Sequence, residues 1–143
     1  MSREYPARPY CCLCAVVWRD DEFLLIKRGK EPSKGDWYLP GGAQSLGETA
    51  EIGVRREVLE ETDITAEVGP LIDLIEVIEE DDASKTRFHF SILVFVARYV
   101  NGTLQAGDDA EDAKWIAYAD LYSLDLSEGT VQAVEKSRAH RTF

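Results

Sequence analysis

Glu57, Glu60 and Glu61 are three carboxylates within five residues, in a stretch from Glu48 to Thr62 that lacks proline and is rich in helix formers. A helix turns about 100° per residue, so Ala50, Gly53, Val54, Glu57 and Glu61 share one stripe, with Glu60 beside it. The stripe starts small and apolar, as a core-facing surface does, and ends acidic. Glu51 with Arg55 and Arg56 with Glu60 have the spacing of ordinary i,i+4 pairs, and a solvated charged face is the commonplace reading of such a run. Glu57 and Glu61, however, are like charges at that same spacing, which disfavours the helix unless a cation lies between them. A hard divalent cation takes oxygen ligands, often one or two carboxylates together with substrate phosphates. Just upstream, Gly41 and Gly42 allow backbone conformations closed to other residues and a close approach to a ligand, although a simple tight turn would also use them.

Zinc or redox chemistry has weaker support. Cys11 and Cys14 have C-x-x-C spacing, but no second cysteine pair follows, and the two histidines are His89 and His140. Alternation along a strand sends Cys11 and Cys14 to opposite faces, so buried free thiols are the better reading. Gly41-Gly42 does not form G-x-G-x-x-G, so the dinucleotide-binding fingerprint is missing.

The elements that must position these groups can be read from periodicity. The 143 residues suit one domain, 1–143, and an apolar fraction of 45% can build a core. Tyr10 to Trp18 and Glu22 to Lys27 are expected strands of a hairpin around Asp20-Asp21. A polar loop runs from Arg28 to Asp36, and Pro40-Gly41-Gly42 is expected to break regularity. After the helix, Ile64 to Glu80 is extended with an interruption at Gly69-Pro70, and Thr86 to Val100 is a long β-branched and aromatic strand. Asn101-Gly102 is expected to turn a hairpin-like return. An acidic loop, Gln105 to Asp112, leads to a short strand at Lys114 to Tyr118, and Ser127 caps a terminal helix. The pattern predicts an α/β fold, a mixed sheet with helices packed against it. A net charge of −11 argues against a nucleic-acid polymer as partner but not against a small phosphorylated ligand, because a bound divalent metal reverses the local field. No apolar run spans a bilayer and Met1 to Pro9 lacks a secretory stretch, so no membrane association and a cytoplasmic location are expected.

Gly42, Glu48, Arg56, Glu57, Val58, Glu60, Glu61 and Ile64 together resemble the box of the Nudix hydrolase superfamily, G-x5-E-x7-R-E-U-x-E-E-x-G-U with U bulky and aliphatic. Trp37 to Gly42 looks like the strand and turn that usually lead into it. One position departs: Asp63 stands where the family has glycine, at a point where helices commonly close with a left-handed residue, a conformation Asp tolerates better than most. The resemblance implies a Nudix fold, a mixed β-sheet sandwiched between helices. It also implies Mg²⁺ or Mn²⁺ held by Glu57, Glu60 and Glu61, with Glu48 and Gly42 in the same metal set. Arg56 would orient the carboxylates. The implied reaction is hydrolysis of a diphosphate bond, with Glu61, Glu57, Arg56 and Glu111 as catalytic residues and Asp109 as second choice to Glu111. Arg28, Gly41, Gly42 and Arg87 are the expected substrate-binding residues, with Lys27 and Arg8 behind them. Trp37, Tyr38 and Phe88 are aromatic candidates for stacking on a base. ADP-ribose or a nucleotide sugar is the first expected substrate. A nucleoside triphosphate split to release pyrophosphate is the second, and a non-catalytic nucleotide sensor the third. Relatives often pair as homodimers.

Overall fold

A computed structural model describes residues 2–31 and 33–143; Met1 and Pro32 lie outside the described residues. The run from Cys12 to Trp18 is apolar at every position because its strand is buried on both faces. That strand, β1 (Tyr10–Arg19), lies at the centre of a sheet. It pairs in parallel with β6 (Thr86–Asn101), which in turn pairs antiparallel with the edge strand β5 (Thr65–Glu80). Leu13, Ala15 and Val17 point to one face and pack with Val54 and Val58 of α1 (Ala50–Thr62). Cys14, Val16 and Trp18 point to the other and pack with Ala133 and Val134 of α2 (Glu128–Arg138). The sheet is therefore sandwiched between the two helices, as expected.

On the other side of β1 the sheet splits. β1 and β2 (Glu22–Arg28) share only the pairs Trp18–Phe23 and Arg19–Glu22 before they part. A wedge opens between them, and the Pro40–Gly41–Gly42 segment fills it: Ala15 N–H donates to Pro40 O at 3.2 Å. Beyond that point β4 (Gly41–Ala43) pairs with Cys12 to Cys14. β2 turns away to pair with β3 (Trp37–Tyr38) and β7 (Ala110–Ala117). The split carries the glycine segment onto α1.

Four boundaries differ from the sequence expectation. Gly41-Gly42 does not break regularity but forms β4. The helix starts at Ala50, with Thr49 as its cap accepting from Ile52 N–H at 3.3 Å, so Glu48 lies outside it. Asn101-Gly102 is not a hairpin turn: the chain passes instead across the end of α1, where Gln105 N–H donates to Thr62 O and Gly107 N–H to Glu61 O. These bonds satisfy carbonyls that a helix end leaves without intrahelical partners. Finally, β7 begins at Ala110, which puts Glu111 and Asp112 on a strand rather than in a loop. The Gly69-Pro70 interruption is a register shift within β5, on a sheet edge where proline is tolerated. Cys11 is exposed while Cys12 and Cys14 are buried, and all three thiols are free. Among the described residues, no helix is long and apolar enough to cross a membrane.

Candidate active site

The acidic end of α1 is turned inward. Glu57 is 8% exposed and Glu61 5%, whereas Glu60 is exposed. The backbone of β4 lies against them. Gly41 N–H donates to Glu61 Oε1 at 2.7 Å. A Cβ on Gly42 would stand 2.7 Å from Glu57 Oε1, and one on Gly41 would stand 2.1 Å from Leu13 O. Both positions exclude a side chain, one to leave room for the carboxylate and the other for the β1 backbone. α1 ends at Asp63, whose φ of 61° is left-handed and whose N–H donates to Leu59 O. Aspartate thus occupies the conformation usually given to glycine.

Arg56 organises the carboxylates. Its guanidinium donates through Nε and Nη2 to the two oxygens of Glu48, at 2.9 and 2.7 Å, and through Nη1 to Glu57 at 2.9 Å and Glu60 at 3.2 Å. Glu48 also accepts from Ser45 N–H at 2.7 Å. These bonds, led by those from Arg56, hold the Glu48 carboxyl down at about 2, and the same pairing pushes Arg56 further above its ordinary range. Glu57 and Glu61 behave oppositely. Burial raises Glu57 against the pull of Arg56, and burial raises Glu61 to about 8 against the hydrogen bond from Gly41. Burial favours the neutral form of each acid, and nearby positive charge opposes it.

Apart from Glu48, these side chains line a cleft of about 220 Å³. Gly41, Gly42, Arg56, Glu57, Glu60 and Glu61 form one side, and Arg28, Lys30, Asp108 and Asp109 also face it. Gly29 N–H donates to Asp109 O at 2.9 Å, and Lys30 pairs with the Asp109 carboxylate at 2.7 Å, which fastens this loop to the end of β2. An apolar recess of about 330 Å³ adjoins the cleft past Gly41 and Gly42, lined by Tyr38, Leu39, Ile75, Val77, Phe90 and Ile92 among others.

Several expected residues fall elsewhere. Arg87 is not in the lining of the cleft; it is paired with Glu4 at 3.0 Å and Glu79 at 3.6 Å, so its charge is already committed. Glu111 is exposed on β7 beside Gly29 and does not line the cleft, while Asp109, the second choice, does. Glu48 reaches the site through Arg56, with both oxygens occupied, rather than as part of the lining. Arg8 is exposed and, like Lys27, outside the lining. Phe88 is core, Trp37 packs at the core edge, and Tyr38 lines the recess. Asp108 and Arg3 line the cleft without having been singled out. Asp108 has a φ of 52°, and only its place in an acidic glycine loop hinted at it. Arg3 had no local signal at all.

The donor set suits a hard divalent cation. It is made of carboxylate oxygens, and two of them belong to buried acids, Glu57 and Glu61, whose charged forms burial disfavours. Among the described residues no three acidic, histidine or cysteine side chains are already gathered as a cage. That is compatible with an ion such as Mg²⁺, which keeps several waters and takes one or two carboxylates together with substrate phosphates.

The acidic end of a helix thus meets a glycine strand at a split in an α/β/α sheet, with arginine and lysine facing it, an arrangement suited to a cation-bound phosphate group. The chain belongs to the Nudix hydrolase family: the model of the NUDIX domain matches residues 12–136. It is similar to an ADP-ribose pyrophosphatase of Methanocaldococcus jannaschii, 35% identical over 81% of this chain and 66% of the relative, so the chain spans just under two thirds of that protein. It is also 32% identical to the nucleoside triphosphatase NudI of an Enterobacter species, over 82% of this chain and 89% of the relative. Among solved structures, a MutT Nudix hydrolase from Burkholderia pseudomallei matches with a TM-score of 0.74 and 31% identity, covering 90% of this chain and 98% of that one.

Proposed function

We propose that the protein hydrolyses the diphosphate bond of a nucleoside diphosphate joined to a second group, ADP-ribose first, with Mg²⁺ or Mn²⁺. The supporting observation is one cleft that holds the buried acids Glu57 and Glu61 together with the cations Arg28 and Lys30. Glu57, Glu60 and Glu61 would hold the ion. When bound, a divalent cation supplies charge that polarises phosphoryl oxygens and acidifies water. Arg56 spaces the acids, and Glu48 fixes Arg56 by a two-point grip, a geometry that a lysine would not reproduce. Gly41 orients Glu61 through its N–H. Arg28 would neutralise the outer phosphate oxygens, and Lys30 would join it by exchanging its Asp109 partner for phosphate. Asp108 is assigned the proton-accepting role ahead of Glu111 because it lines the cleft and Asp109 is tied to Lys30. The apolar recess would take an uncharged ring of the substrate.

A substrate panel in Mg²⁺ tests this. AMP and ribose 5-phosphate are expected from ADP-ribose. Pyrophosphate released from nucleoside triphosphates would instead favour the second reading, which the longer match to a nucleoside triphosphatase keeps in play. Tight ADP-ribose binding without turnover in saturating metal would make the protein a sensor. Turnover that survives a chelator would sink the metal scheme.

A further inference from the structure

Arg3 lies where the two cavities meet: it lines both the charged cleft and the apolar recess. It is brought there by a fastened turn. Tyr5 has a φ of 51°, a conformation that a tyrosine keeps only when its surroundings hold it. They do so at several points. Tyr5 N–H donates to Arg87 O at 2.8 Å, Tyr5 O–H donates to Asp81 at 2.9 Å, and the Lys85 ammonium lies 4.9 Å from the ring centre. Arg87 Nε donates to Glu4 at 3.0 Å, and its guanidinium lies over the ring of Phe88. Arg87 is therefore an anchor for the segment that carries Arg3.

Among the described residues Arg3 forms no ion pair with a carboxylate; its guanidinium lies 5.8 Å from the Tyr10 ring centre. In a chain of net charge −11, a cation that lines an acidic cleft without an ion-pair partner among the described residues is set to receive an anion from outside. The geometry points to Arg3 as a phosphate-binding residue, presented by the 2–9 segment and positioned through Arg87. The assignment rests on the diphosphate-substrate reading, and its test can fail separately from it.

The probe is inorganic pyrophosphate with Mg²⁺, titrated calorimetrically into the full chain. Arg3→Ala should weaken binding about tenfold, the size of a lost charge-assisted hydrogen bond, and Arg3→Lys should recover part of it. Arg87→Ala should weaken binding similarly, and the double variant should be no weaker than either single, because both act through one contact. If Arg87→Ala does not fold, Glu4→Gln combined with Tyr5→Phe loosens the same anchor. With whichever anhydride is turned over, Arg3→Ala should raise KM about tenfold and leave kcat within about twofold. Unchanged pyrophosphate affinity in Arg3→Ala, or no pyrophosphate binding by the unaltered protein, overturns the assignment. Weakened pyrophosphate binding in a protein that turns over no nucleotide would uphold Arg3 and refute the proposed function.

Discussion

At the scale of single residues, the site is made as much by missing side chains as by charged ones. Gly41 and Gly42 are neighbours with different reasons to be glycine, and substitution should separate them. Alanine at 41 meets the Leu13 carbonyl and the Cys14 backbone, which cannot yield without moving β1. Gly41→Ala should cost about 3 kcal/mol or more in denaturant unfolding. The nearest atoms to an alanine Cβ at 42 are those of the Glu57 carboxylate, the far end of a flexible side chain. Gly42→Ala should keep most of the stability and lose metal affinity and turnover by about tenfold or more. Equal destabilisation by the two would refute the distinction. Glu61→Gln is expected to lower kcat by orders of magnitude while melting near the parent temperature, since the amide keeps the shape and can still accept from Gly41; parent-like turnover would remove Glu61 from the mechanism. The carboxylates and glycines could be read from the chain because their spacing is local. Arg3 and Asp108 could not, because their places depend on the Arg87 anchor and on the crossing over the end of α1. The pairing of Arg87 was hidden for the same reason: a strand-end arginine looks available until the segment that pairs with it is known.

At the scale of elements, α1 is the part that both folds and functions. Thr49 caps its start, and Asp63 ends it in a left-handed conformation. Such a conformation costs an L-residue roughly 1 kcal/mol, and an acidic residue at a helix C-terminus opposes the dipole. Asp63→Gly should therefore stabilise by roughly 0.5–1 kcal/mol after glycine's greater freedom in the unfolded chain is set against it. Calorimetry should show a rise in Tm of about 1–3 °C with kcat unchanged. A fall in Tm would mean that the aspartate side chain contributes something its geometry does not reveal. The helix, the buried central strand and the long β5–β6 pair were legible because each carries its own period. The splitting of β1 from β2 was not. It follows from competition for the β1 edge, where β4 takes the positions next to Cys12 and Cys14 and β2 is diverted to β7. The Asn101-Gly102 signal failed similarly, since the following segment bonds to the end of α1 instead of returning along β6.

At the scale of the whole molecule, a strongly acidic chain buries two of its acids at one site, and this makes stability, pH and metal binding one problem. Glu61 is raised to about 8 and Glu57 is raised as well, both first by burial. For a carboxyl whose folded value lies above its unfolded one, the associated stability is complete below the unfolded value and is lost as pH rises through the folded value. The metal-free protein should thus lose stability between roughly pH 4.5 and 8, the window set by the ordinary carboxyl value and that of Glu61. Glu48 and Asp81, which are lowered, act on the acid side of that window and do not reverse its slope. A divalent cation competes with the proton on Glu61, so its affinity rises with pH and its binding stabilises the folded chain most where the metal-free form is weakest. Thermal melts in chelator and in millimolar Mg²⁺ should give a small difference at pH 5.5 and a larger one at pH 8.5. Glu61→Gln should flatten both the chelator slope and the metal increment, because the amide neither titrates nor supplies an anionic ligand. A metal increment that is independent of pH, or one that survives Glu61→Gln intact, would place the cation away from the buried acids and separate the charge of this chain from its chemistry.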